Sequence, residues 1–105
     1  MQKKVFEKIR AVVKEIPHSK VLSYGDVANL AGIKDARIVG WALHGNQNPK
    51  IPCHRVVQKD GGLAKNYSLG TWTEQKRRLE VEGVTFIDRQ QIDMDKHHWD
   101  FSEGK

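Results

Sequence analysis

Apolar residues Val5, Ile9, Val12, Val13 and Ile16 recur at helical spacing, which predicts a first amphipathic helix. Pro17 ends it, because proline lacks an amide donor and crowds the turn before it. A short Val21-Leu22 stretch leads to Ser23, and Ser23 with Asp26 has the spacing of a capping box opening a second, short helix. Val27, Leu30 and Ala31 form its apolar face, and Gly32 breaks it. A third helix follows closely, with Asp35 as expected cap, Val39, Ala42 and Leu43 as apolar face, and Gly45-Asn46 as its end. Two short helices joined by a glycine-containing turn suggest a helix-turn-helix, whose second helix commonly enters a DNA groove. The same pattern also occurs in helix pairs that never meet DNA.

Asn46 to Pro52 reads as a loop and Cys53–Val57 as an extended segment, before a tight turn at Asp60-Gly61-Gly62. A polar loop through Asn66, Tyr67, Ser68 and Gly70 precedes a fourth helix. That helix is expected to start near Thr73, boxed by Thr71 and Glu74, and to end at Gly83. Its charged Gln75–Glu82 stretch is expected to be mostly a solvated face. After Val84-Thr85-Phe86 the chain turns polar, with Ile92, Met94, Trp99 and Phe101 as isolated apolar points. The expected organisation is one domain over residues 1–86 and a polar C-terminal tail over 87–105. The tail either docks back through Trp99 or frays at its end. The fold class is mainly α with short β elements, a winged-helix-like helix-turn-helix domain.

Composition narrows the function classes. A chain of 105 residues suits one domain, and 38% hydrophobic with 30% charged residues suits a globular one. No apolar run approaches the roughly 20 residues that cross a bilayer, so a cytoplasmic, DNA-associated protein is expected. The net charge of +5 favours polyanions, because phosphate contacts release condensed counterions. One cysteine, Cys53, excludes an internal disulfide framework and cysteine-rich zinc sites. His18, His44, His97 and His98 show no ligand spacing with it, so neither a metal nor a cofactor is expected.

The informative window is Ile51-Pro52-Cys53-His54-Arg55-Val56-Val57. Thiolate, not thiol, is the nucleophile; a nearby histidine can take the proton and a carboxylate can hold that histidine. His54 is adjacent, and Glu82 is a candidate carboxylate. Adjacent residues of an ideal strand point to opposite faces, so Cys53 and His54 would need a bridging water or a bent backbone. By spacing alone His54 fits a structural role as well as a basic one. Arg55 reads as a structural ion-pair partner.

Pro52-Cys53-His54-Arg55-Val56 resembles the active-site signature of the O6-alkylguanine-DNA alkyltransferases, the methylated-DNA–protein-cysteine methyltransferases. The likeness runs from Val21-Leu22-Ser23-Tyr24 through Ala36-Arg37-Ile38-Val39-Gly40 and Gly45-Asn46 to Asn66-Tyr67-Ser68 and Glu82-Gly83, covering most of Phe6 to Val84. It implies that Cys53 accepts the alkyl group, that His54 takes the cysteine proton through a water, and that Glu82 polarises His54. Tyr24 would donate a proton towards a guanine ring nitrogen and touch the flipped nucleotide. Arg37 would fill the vacated place in the stack, Gly40 would lie on the DNA-facing helix, and Asn46 would link that helix to the active-site segment. Pro52, Tyr67 and Ser68 would line the base pocket. Double-stranded DNA carrying O6-alkylguanine would be the partner of a monomer, and the reaction would spend the protein in one event. Apart from the family, Tyr24 reads as a packing residue, Arg37 as an exposed helix residue and Glu82 as a solvated carboxylate.

Three departures stand out. A single domain without the family's N-terminal domain is expected, the loop from Asn46 to Cys53 is about one residue short, and Leu69 and Trp41 stand where small residues are usual. These features resemble the related alkyltransferase-like proteins, which bind alkylated DNA, do not repair it, and hand the lesion to excision repair. Those proteins typically carry Trp or Ala in place of the cysteine, whereas this chain keeps Cys53 and His54. A plain helix-turn-helix regulator is the third alternative.

Overall fold

The computed structural model describes residues 2–44, 48, 50–63 and 71–100. Helix α1 (Gln2–Glu15) buries Ile9 and Val13 completely, as its spacing predicts, and Ile16 continues that face past the helix end. Strand β1 (Leu22–Ser23) runs directly into α2 (Tyr24–Leu30). The capping box is formed: Asp26 N–H donates to Ser23 Oγ at 3.1 Å, and Ser23 N–H donates to Asp26 Oδ2 at 3.0 Å. Gly32 takes φ 73° after the last turn, a left-handed conformation in which glycine has no Cβ to crowd the backbone. Helix α3 (Ala36–His44) then packs Val39, Ala42 and Leu43 inward, with Asp35 Oδ1 accepting from Arg37 N–H at its start.

A 3₁₀ turn (Cys53–Arg55) leads into β2 (Val56–Val57). The extended segment expected from Cys53 therefore begins only at Val56. Strands β1 and β2 pair in parallel, Leu22 opposite Val56 and Ser23 opposite Val57. This short ladder brings the start of α2 alongside the exit of the 3₁₀ turn. Helix α4 (Trp72–Val81) follows, then a hairpin of β3 (Phe86–Asp88) and β4 (Gln91–Ile92), then α5 (Met94–His97). Thr71 is the N-cap of α4 but makes no side-chain cap bond, and Glu74 instead pairs with Arg77 and Arg78. Competition from two arginines one turn further on removes the expected box.

Two apolar clusters lie on either side of the ladder. One joins α1, α2 and α3 to Cys53 and Val56; the other joins Val21, Val57, Leu63, Leu79, Val84 and Ile92. Each fully buried valine or leucine here contributes about 1.5–3 kcal/mol relative to exposure. The segment after Phe86 takes part in this packing: Ile92 is fully buried, Trp99 packs on the first cluster, and Trp99 N–H donates to Val21 O at 3.0 Å. Gly61 has φ 93°, and a Cβ there would come within 2.7 Å of Ile92 O, so the hairpin's approach requires glycine.

Candidate active site

Cys53 opens the 3₁₀ turn behind half-buried Pro52 and is only 5% exposed. Its thiol donates to Ile51 O at 3.4 Å. The turn changes where the next side chains go. With about three residues per turn, neighbours diverge by about 120° instead of the 180° of a strand. His54 and Arg55 thus both reach one carboxylate, Glu82, the C-cap of α4.

His54 Nε2 lies 2.7 Å from Glu82 Oε2. Arg55 clamps the same carboxylate from its guanidinium edge, Nε to Oε1 at 2.9 Å and Nη2 to Oε2 at 2.7 Å. Its Nη1 donates to Ile16 O at 2.6 Å, capping a carbonyl at the end of α1. The Glu82 side chain is 7% exposed, so the expectation of a solvated carboxylate fails. Burial raises the Glu82 carboxyl pKa, but hydrogen bonds from Arg55 and His54 outweigh it and hold the group below its ordinary value. For His54, burial is the largest influence and lowers its pKa, the Arg55 and Arg78 charges add to this, and Glu82 opposes it. A neutral His54 donates its Nε2–H to the carboxylate and keeps Nδ1 as the basic nitrogen.

Gln75 was not anticipated. It lies on the α4 face read as solvated, yet it is fully buried. Its amide donates to His54 O and Val56 O, both at 3.2 Å, tying α4 to the backbone of the 3₁₀ turn. A polar residue at i−4 from apolar Leu79, on the same helix face, was the available signal.

Tyr24 is half-buried at the first position of α2 and packs on the cluster that contains Cys53. Burial raises its phenol pKa, an effect that negative charge on the Cys53 sulfur would add to, so the hydroxyl stays protonated and can donate. Arg37 is apart from this group. Its side chain is 80% exposed on α3, held by Asp35 through Nη2 at 2.8 Å. Trp41, one turn on, is 62% exposed, and a Cβ added at Gly40 would meet nothing within 4 Å. Arg37, Gly40 and Trp41 thus line an outer side of α3 that the protein's own packing leaves open. Asn46, Tyr67, Ser68 and Leu69 lie outside the described residues. Among the described residues, no group of three or more His, Cys, Asp or Glu side chains gathers to hold a metal, and no helix is long and apolar enough to cross a membrane.

A cysteine backed by a histidine, a carboxylate and an arginine, on a domain with an open helix, can be compared with known families. The family model for the DNA-binding domain of 6-O-methylguanine DNA methyltransferase matches residues 4–84. The chain belongs to this methyltransferase family. Alkyltransferase-like protein 1 of Schizosaccharomyces pombe is 33% identical over 100 residues, covering 90% of the chain and 93% of that relative. The methylated-DNA–protein-cysteine methyltransferase of Rattus norvegicus is 42% identical over 75 residues, but the chain spans only 35% of its length. The crystal structure of S. pombe Atl1 in complex with damaged DNA containing O6-carboxymethylguanine superposes with a TM-score of 0.82 at 30% identity, covering 92% of the chain and 95% of that structure. The family is one of DNA alkyl-lesion repair, and its members that match this chain include both methyltransferases and alkyltransferase-like proteins.

Proposed function

We propose that this chain repairs O6-alkylguanine in double-stranded DNA by one stoichiometric transfer of the alkyl group to Cys53, after the base is flipped out of the helix. The observation that carries this reading is the His54–Glu82–Arg55 cluster built on the same 3₁₀ turn that Cys53 opens. A buried, doubly anchored carboxylate is an elaborate support for an inert thiol, and an apt one for a thiol that must lose its proton.

In this reading the Cys53 thiol passes its proton through a water to His54 Nδ1. Sulfur attacks the alkyl carbon in line, an S–C bond forms, and the bond from that carbon to the guanine oxygen breaks. The Tyr24 phenol donates towards a ring nitrogen of the departing guanine, and the proton taken from sulfur restores the balance. General acid–base assistance of this kind typically contributes about 10²–10⁴ in rate. The product is guanine and a thioether with no route back. No cofactor enters, and the protein acts as a monomer.

The lesion must leave the duplex, because a stacked base cannot present its alkyl group to a buried sulfur. Arg37 fills the gap, the open side of α3 at Gly40 lies against the groove, and Asn46 joins α3 to the active-site segment. Pro52, Tyr67 and Ser68 line the base pocket. Unstacking costs a few kcal/mol and costs least for a damaged base, which favours the lesion.

A tritiated methyl group on O6-methylguanine in a duplex tests this. Label should move to the protein one-to-one, and Cys53→Ala should carry none. A second reading is favoured by the near full-length match to an alkyltransferase-like protein: lesion binding without transfer, followed by recruitment of excision repair. It requires selective binding that survives Cys53→Ala and label that stays on the DNA.

A further inference from the structure

The buried histidine of α5 has a bonding pattern that the chemistry above does not use. His97 is 7% exposed, and its two ring nitrogens face groups of opposite kind. Nδ1 is 2.9 Å from Ser19 O, which can only accept, so Nδ1 carries the hydrogen. Nε2 then accepts from Thr85 N–H at 3.0 Å, with Thr85 Oγ1 also at 3.0 Å. The Ser19 hydroxyl in turn donates to Glu82 O. The His97 backbone carbonyl accepts from Val21 N–H at 2.9 Å, at the approach to β1 and Tyr24.

One residue is thus bonded to three others, Ser19, Val21 and Thr85, on two segments distant in the chain. Ser19 and Thr85 bracket Glu82, from which the carboxylate reaches His54, and Val21 leads through β1 to Tyr24. We infer that His97 is a positioning residue, the means by which the C-terminal segment holds Glu82 where it can orient His54. The inference rests on the proposed site for its purpose, while its geometry stands independently of any transfer.

The test is a titration of the His54 imidazole by NMR in the full chain. Glu82, Arg55 and Arg78 are the charged groups that act on His54, and His18 stands in the open 4.0 Å from Glu82 Oε2. Of these, Glu82 alone raises the His54 pKa, so a displaced Glu82 lowers the midpoint. His97→Gln keeps an acceptor for Thr85 N–H but loses the donor to Ser19, and should move the His54 midpoint to lower pH. His97→Asn, whose amide can donate to Ser19 in place of Nδ1–H, should keep it near the original. Ser19→Gly removes the hydroxyl and relaxes the positive φ of 69°, so it tests the same link should the glutamine variant fail to fold.

In single-turnover assays the displaced variants should transfer methyl about tenfold more slowly, part of the general-base contribution, with lesion binding within twofold. A His54 midpoint unmoved by His97→Gln and by Ser19→Gly overturns the inference. A protein that never transfers methyl, yet whose His54 midpoint moves as described, keeps the positioning role and loses the repair chemistry instead.

Discussion

His54 Nε2 and Glu82 Oε2 lie 2.7 Å apart although 28 residues separate them in the chain. The contact exists because a 3₁₀ turn aims His54 at the end of α4, where Glu82 is the C-cap. Arg55, next in the turn, neutralises the same carboxylate. Glu82→Gln should therefore damage two things at once. It leaves the Arg55 charge buried without its counter-ion, which should lower stability by about 3 kcal/mol in chemical denaturation. It should also slow methyl transfer far more than lesion binding. Unchanged transfer in a folded Glu82→Gln protein would remove Glu82 from the chemistry.

Acid should weaken the fold in two steps. His54 titrates below the ordinary histidine value of 6.5, so as pH falls the unfolded chain takes up that proton first, and stability declines below 6.5. Glu82 titrates below the ordinary 4.5, so its contribution is present above that value and is lost as pH falls through the folded value. Thermal unfolding followed from neutral pH downward should show both declines, and His54→Asn should abolish the upper one. Transfer should fall at lower pH than the onset of that step, as pH passes the lowered folded-state His54 value, because a protonated His54 cannot accept from the thiol. A melting temperature flat between 6.5 and 4.5 would contradict the assignment.

Gln75→Ala should cost about 1–3 kcal/mol, since it removes the amide hydrogen bonds to two buried carbonyls and leaves a void. Transfer should slow as the 3₁₀ turn loosens. Equilibrium denaturation together with single-turnover rates checks both; a neutral effect on each would mean that α4 does not hold the turn.

On α3, Arg37→Ala should weaken binding to lesioned duplex more than to undamaged duplex. Equal loss on both would reduce Arg37 to a phosphate contact. Asp35→Asn keeps a capping oxygen while removing a negative charge beside Arg37, so it should tighten DNA binding. Trp41 is exposed on the same helix, and its fluorescence should change when duplex binds. Titrations monitored by anisotropy and by tryptophan emission measure all three.

How much of this was legible in the chain depends on the range of the interactions. Local signals were sufficient for the helices: the Ser23–Asp26 box, the Pro17 stop, and the Gly32 break occur where the residues indicate them. The Pro52-Cys53-His54-Arg55 motif pointed to the candidate site and to the family, and the family model matches. A bent backbone at Cys53 was one of two alternatives left open, and composition did not choose it, because a valine-rich stretch after a proline has the composition of a strand. Tertiary bonds from Arg55 and Gln75 add to the turn's own Arg55 N–H to Pro52 O bond and hold it bent. Gln75 itself was hidden in a charged helix, where one buried amide looks like its solvated neighbours. His97 was hidden similarly, since its partners Ser19 and Thr85 are 78 and 12 residues away.

The most direct test is the mass of the Cys53 peptide after the protein meets an oligonucleotide duplex carrying one O6-methylguanine. The expected result is one added methyl group on that peptide, matched by one lesion restored to guanine in the DNA. A Cys53 peptide of unchanged mass, recovered while the lesioned duplex is demonstrably bound, would contradict alkyl transfer and leave a protein that only recognises damage.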